Sequence, residues 1–233
     1  MANPFKGHRF NRDIILFCVR WYLQTSLSYQ QLSNMLAERG VSVHKSNVWR
    51  WVQKFAPEIK KRAYSYLKPV TRWHHVDETP IKVKGKLEYL YRAIDRKGNT
   101  IDFLLTAKKD TASAVRFFVR LFGRQHVKQV PTKILVDKNP AYPAAMKILK
   151  ETKVLSARTK LIQVNHANDL LEQDHRFTKL KVKHGMWFNN FDCAQRTIDG
   201  YETMHMIQKG QMRYVPKNNP LTQCKFVQNL FNA

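Results

Sequence analysis

Lys133-Ile134-Leu135-Val136-Asp137, broken at once by Lys138-Asn139-Pro140, reads as a short apolar strand that ends in a carboxylate. A continuous apolar run of this length fits a strand covered on both faces, as in the parallel part of an α/β sheet. Upstream, a period of two begins at Trp73. Residues 73–83 predict one strand, 87–95 a second with Leu87, Tyr89, Tyr91 and Ala93 on one face, and 100–106 a third. The turn Asp95-Arg96-Lys97-Gly98-Asn99 joins the last two as a hairpin. An amphipathic helix from Thr111 to about Phe122, capped by Asp110, leads to the 133–137 strand. Beyond it, Ala141 to Lys150 predicts a helix, Leu161 to Val164 a strand, and Asp169 to about Lys183 a long helix. A further helix covers Asp192 to Lys209, closed by Gly210. Three antiparallel strands, a helix, a buried strand and alternating helices predict a mixed α/β sandwich.

Ahead of this sheet the periodicity is helical. The apolar run Ile14 to Leu23 follows Lys6, Arg9 and Arg12 in the manner of a signal peptide, but it contains Arg20 and lacks a small-residue cleavage site. It is also too short to span a bilayer, so residues 11–24 predict a buried helix and no membrane partner. Ser28 with Gln31 forms a capping box, Leu32, Met35 and Leu36 supply the apolar stripe, and Gly40 stops the second helix. In the third, Val48, Trp51, Val52 and Phe55 face inward. Lys45, Ser46, Trp49, Arg50 and Gln53 are thereby expected to face out, towards DNA, in a helix-turn-helix arrangement. A trihelical packing module shares the pattern. Pro57 fits the first position of a further helix, basic through Lys60, Lys61 and Arg62. The expected organisation is therefore an all-α helix-turn-helix domain at 1–56, a linker helix at 57–70, an α/β catalytic domain at 71–210 and a tail at 211–233.

The 233 residues hold 41 Lys plus Arg against 17 Asp plus Glu, so 41 − 17 leaves a net charge of +24. Self-repulsion of that size is relieved by a polyanion, and nucleic acid is the usual one. Cys18, Cys193 and Cys224 are remote from one another and have no partner at zinc-ligand spacing, so neither a disulfide framework nor structural zinc is expected. A reducing cytoplasm fits.

With so few acidic residues, their positions are informative. Asp77 sits mid-strand, Asp137 ends a core strand and Glu172 lies on the long helix. A carboxylate at the end of a buried strand is desolvated, and a bound cation is the simplest compensation. Oxygens from two strands and a facing helix would leave open positions on two Mg²⁺ ions for phosphate and water. Each residue also has a plainer reading: Asp137 as a cap for the next helix, Glu172 as a solvated helix residue. Glu78 follows Asp77 directly and should point to the other face of the strand, in a structural role. His74, His75, His166 and His175 are expected as DNA contacts or packing.

The order and setting of Asp77, Asp137 and Glu172, with 34 residues between the last two (172 − 137 − 1), resemble the DDE motif of retroviral-integrase-type transposases. Lys179, two helical turns after Glu172, matches the basic residue that family places beside its metal site. The local sequence is similar to that of bacterial transposases of the insertion-sequence-six family. The segments carrying the likeness include Asn3-Pro-Phe-Lys-Gly7, Met35-Leu-Ala-Glu-Arg-Gly-Val41, Val76-Asp-Glu-Thr79, Tyr89-Leu-Tyr-Arg-Ala93, Asp137-Lys-Asn-Pro-Ala-Tyr142 and Glu172-Gln-Asp-His175. The resemblance implies a ribonuclease-H-like core in which Asp77, Asp137 and Glu172 hold two Mg²⁺ ions, with Mn²⁺ as a substitute. It implies an enzyme that binds terminal inverted repeats, frees a 3′-hydroxyl by hydrolysis and joins it to target DNA. A homodimer or larger assembly is expected, since two element ends must be held together, acting in a bacterial cytoplasm at the nucleoid. Lys179, Arg176 and His175 are expected to contact DNA beside the carboxylates. A non-catalytic DNA-binding regulator and a ribonuclease-H-like nuclease without strand transfer are the alternatives.

Overall fold

The computed structural model describes residues 4–124, 126–127, 129–164, 176–177, 179–182 and 188–232. They form two compact units: Lys68–Lys179, and Met1–Leu67 together with Leu180–Ala233.

The first unit is built on a five-stranded sheet, β1 (Trp73–Val83), β2 (Lys86–Asp95), β3 (Thr100–Thr106), β4 (Lys133–Val136) and β5 (Lys160–Gln163), in the order β3-β2-β1-β4-β5. β1, β2 and β3 pair antiparallel, and β4 and β5 continue the sheet in parallel from β1. This is the expected ribonuclease-H-like mixed sheet. The β1–β2 hairpin turns on Lys84 and Gly85, both at positive φ (48° and 79°), the backbone that matches the twist of two antiparallel strands. At the next turn Asp95 accepts the backbone N–H groups of Lys97 and Asn99, each at 2.9 Å.

Helices α4 (Thr111–Phe122) and α5 (Ala141–Glu151) cover one face. Ala114, Phe117, Phe118 and Leu121 of α4 and Tyr142, Ala145, Met146 and Leu149 of α5 close over Val76, Tyr91, Ala93, Ile101, Ile134 and Val136. Asp110 caps α4 as expected, accepting from the Ser113 N–H at 2.8 Å. The fully buried Asp102 of β3 is clamped by Arg120 and Arg124, whose Nε atoms lie 3.0 and 2.9 Å from its carboxylate. Expected to be covered on both faces, β4 alternates instead: Ile134 and Val136 are buried, Lys133 and Leu135 half-buried.

The second unit is helical: α1 (Arg12–Gln24), α2 (Tyr29–Ala37), α3 (Lys45–Ala63), a 3₁₀ turn at Tyr64–Tyr66, α6 (Phe191–Gln208) and α7 (Pro220–Asn229). The Ser28/Gln31 capping box is present. The described residues of 180–210, grouped by sequence with the catalytic domain, and of 211–233, read as a tail, lie in this unit. α7 carried a start signal that the sequence reading passed over: Asn219 accepts from the Thr222 N–H at 3.0 Å and Pro220 takes the first helical position.

Two expectations for α3 need correction. Pro57 does not begin a new helix; it lies inside α3, which runs unbroken to Ala63. A proline in a helix interior costs about 3 kcal/mol, yet Val52, Phe55, Ala56, Ile59 and Ala63 bury completely along this helix and offset it. Gln53 does not face out. It is buried, and its Nε2 donates to Thr197 Oγ1 of α6 at 2.8 Å, because α6 covers the side of α3 left open in a three-helix reading. Lys60 and Asp199 join the same two helices at 2.6 Å. Gly200 permits this packing: a Cβ there would lie 2.6 Å from Leu23 Cδ2 and 2.7 Å from Ala56 Cβ.

Candidate metal centre

The parallel register of β1 and β4 pairs Trp73 with Lys133, His74 with Ile134 and His75 with Leu135. Carried two residues further, the same offset brings Asp137 level with Asp77. Two carboxylates 60 residues apart thus meet where β4 ends beside the middle of β1, a juxtaposition that local sequence does not reveal. Asp77, Glu78 and Asp137 each offer an oxygen, and these oxygens lie within 4.8 Å of one another.

Local bonds orient the group. Asp77 Oδ1 accepts the Glu78 N–H at 2.8 Å, and Asp137 Oδ1 accepts the Asn139 N–H at 3.0 Å. It is Asn139, not Asp137, that accepts from the start of α5, through the Ala141 N–H at 3.0 Å. Asn139 Nδ2 turns back to donate to Glu78 Oε1 at 3.3 Å, and the Tyr142 hydroxyl adjoins the same carboxyl. Among the described residues Glu78 Oε2 accepts no hydrogen bond; it faces the Lys109 ammonium at 3.5 Å, and Lys109 makes a long hydrogen bond of the same length to Asp137 Oδ2.

The electrostatics reflect crowding of negative charge in a poorly solvated place. Burial pushes the Asp77 carboxyl up, and Asp137 adds to that shift, while Lys109 and Lys179 oppose it. Glu78 is pushed up to about 7, chiefly by burial. Burial disfavours the Lys109 ammonium, but Glu78, Asp137 and Asp77 outweigh it and hold Lys109 above its usual value. A hard divalent cation suits this donor set: all oxygen, convergent, and including a buried oxygen that no described residue hydrogen-bonds.

Of the residues singled out by sequence, the structure brings Asp77 and Asp137 together and places Lys179, itself exposed, where its charge acts on Asp77. Arg176 is exposed. Glu172 and His175 lie outside the described residues, as does His166. His74 is buried, with Nε2 3.0 Å from the Thr71 carbonyl, which makes it a packing residue. Glu78 was missed. Strand alternation assigns it to the opposite face, but β4 stops at Val136, and beside the loop that follows the Glu78 carboxylate still comes within 4.8 Å of those of Asp77 and Asp137. In the helical unit, Lys45 and Arg50 are exposed, Trp49 is 39% exposed and Ser46 half-buried at the start of α3.

A family model described as a DDE domain matches residues 70–211. The transposase for the insertion sequence-like element IS431mec of Staphylococcus aureus is 38% identical over 223 residues, 91% of each chain. The transposase for insertion sequence element IS257 in transposon Tn4003, also from Staphylococcus aureus, shows the same identity and coverage. Two solved structures align in part. One is the HTLV-2 integrase catalytic core domain in complex with magnesium in its trimeric form (TM-score 0.45, 16% identity, 64% of this chain and 93% of that one). The other is the Mos1 strand transfer complex (TM-score 0.36, 14% identity, 95% and 75%).

The sheet order, the aspartates brought together from β1 and the end of β4, and the matched DDE domain define a polynucleotidyl transferase. The chain belongs to the DDE transposases, within the insertion-sequence-six family. Among the described residues no helix is long and apolar enough to cross a membrane.

Proposed function

We propose that Asp77 and Asp137, completed by Glu172, hold two Mg²⁺ ions, for which Mn²⁺ can substitute, and that DNA cleavage and strand transfer take place there. The observation that carries this reading is the meeting of the Asp77, Glu78 and Asp137 oxygens within 4.8 Å in a chain of DDE-transposase sequence. Bound divalent cations would lower the pKa of an attacking water or 3′-hydroxyl and offset charge on the phosphate in flight. The chain's own part is positional. The Asp77 and Asp137 carboxylates are fixed by the N–H groups of Glu78 and Asn139, and Lys179 with Arg176 and His175 supplies positive charge to the DNA backbone beside them.

The DNA partners in this reading are the terminal inverted repeats and the target duplex. The start of α3, with exposed Lys45, Trp49 and Arg50 and half-buried Ser46, binds the repeats; Gln53, buried against Thr197, has left that set. Two ends must be processed together, so the active form is a homodimer or larger, at the nucleoid of a bacterial cytoplasm.

The test supplies a duplex with a pre-cut 3′-hydroxyl end and measures covalent joining to a second duplex in Mg²⁺. Wild type should join, and Asp137→Asn should bind the end but not join it. Undiminished joining by Asp137→Asn would overturn the assignment, and cutting without joining by wild type would leave a nuclease.

A further inference from the structure

Lys109 is set into the acidic cluster from a segment whose backbone is anchored on both sides. The Thr106 hydroxyl donates to the Lys108 carbonyl at 2.8 Å, and Asp110 caps α4 through the Ser113 N–H at 2.8 Å. The residue between cannot drift, and its side chain is 31% exposed, reaching Glu78 Oε2 and Asp137 Oδ2 at 3.5 Å each. Charge-assisted hydrogen bonds close to about 2.7–2.9 Å. At 3.5 Å its hydrogen bond to Asp137 Oδ2 is long and its contact with Glu78 Oε2 is an ion pair only, so the ammonium can leave without giving up a tight bond. A divalent ion bound at the usual distance of about 2.0–2.5 Å from those oxygens would take up the space in front of Lys109 and repel its charge.

We propose that Lys109 is a stand-in cation: in the metal-free protein its ammonium occupies the divalent-ion position between Glu78 and Asp137, and a metal ion binds by displacing it. This rests on the reading of the carboxylates as metal ligands. Lys109 is a positioning residue in this role. It keeps the carboxylates gathered while no metal is present and sets a threshold concentration for loading. Released from the cluster, it stays tethered at the rim of the site by the start of α4.

The test uses the full-length chain, Mn²⁺ as probe and no DNA. By calorimetric titration, Lys109→Met, which keeps most of the aliphatic stem and removes the competing charge, should bind Mn²⁺ about tenfold more tightly than wild type. Equal or weaker binding overturns the proposal. A second measurement needs no variant: in wild type, reductive methylation of Lys109, normalised to exposed lysines, should speed up when Mn²⁺ is added. An unchanged or slower rate overturns it equally. Asp137→Asn separates the two layers. If that variant binds Mn²⁺ like wild type, the ligand assignment itself fails. If it loses Mn²⁺ while Lys109→Met leaves affinity unchanged, only the role given to Lys109 fails.

Discussion

Asn139 Nδ2 donates to Glu78 Oε1 across 3.3 Å, while Asn139 Oδ1 accepts from the first N–H of α5. One amide therefore ties the loop carrying Asp137 to the strand carrying Asp77. Partners behind metal ligands typically affect affinity tenfold or more. Asn139→Ala should weaken Mn²⁺ binding about tenfold by calorimetry while leaving the far-ultraviolet circular dichroism unchanged. Unaltered affinity would reduce Asn139 to a helix cap.

Gln53 and Arg50 share a helix but should behave oppositely. Gln53→Ala removes a buried hydrogen bond to Thr197 and should lower the stability of the helical unit by about 1 kcal/mol in urea, with DNA affinity intact under folding conditions. Arg50→Ala should leave stability alone, weaken binding to inverted-repeat DNA, and reduce the slope of log K against log salt by about 1 if Arg50 meets a phosphate. The reverse pattern would return Gln53 to the DNA surface.

Gly200 is needed for close approach, since its φ is not in the left-handed region. A methyl group there would meet Leu23 and Ala56 at under 3 Å, on helices packed from two sides. Overpacking of this kind costs about 1–3 kcal/mol. Gly200→Ala should lower the urea midpoint accordingly, and the Gly200→Ala/Leu23→Ala pair should lose less than the sum of the two single losses. A Gly200→Ala protein as stable as wild type would mean that α6 can slide.

His74 makes the sheet unit sensitive to acid. Burial brings its pKa down to about 4, from an ordinary value of 6.5. The folded state thus favours the neutral ring, so the unfolded chain takes up the extra proton as pH drops below about 6.5. Stability is complete above that value and falls until about pH 4, by on the order of 3 kcal/mol. His126, also lowered by burial, acts in the same sense. Urea unfolding between pH 7 and 4 should show this slope and His74→Gln should flatten it; an equally steep profile in the variant would assign the sensitivity elsewhere.

Much of this could be read from the sequence because the signals are local. Alternation over 73–83, the Asp110 and Ser28 caps, the Gly210 stop and the apolar run into Asp137 each depend on neighbours a few residues away, and each appears where expected. The family likeness and the excess of basic charge are also properties of the string itself. What the string withheld is long-range. Pro57 stays within α3, and Gln53 turns inward, because a helix some 140 residues later packs across them; Gln53 and Thr197 are 144 apart. Glu78 joins the acidic cluster only because the parallel register of β1 and β4 brings the Asp137 loop alongside, and Lys109 completes it from a third segment. Periodicity reports which way a side chain points along its own element. What it meets there is decided by packing between elements remote in sequence, where burial and charge outweigh local preference.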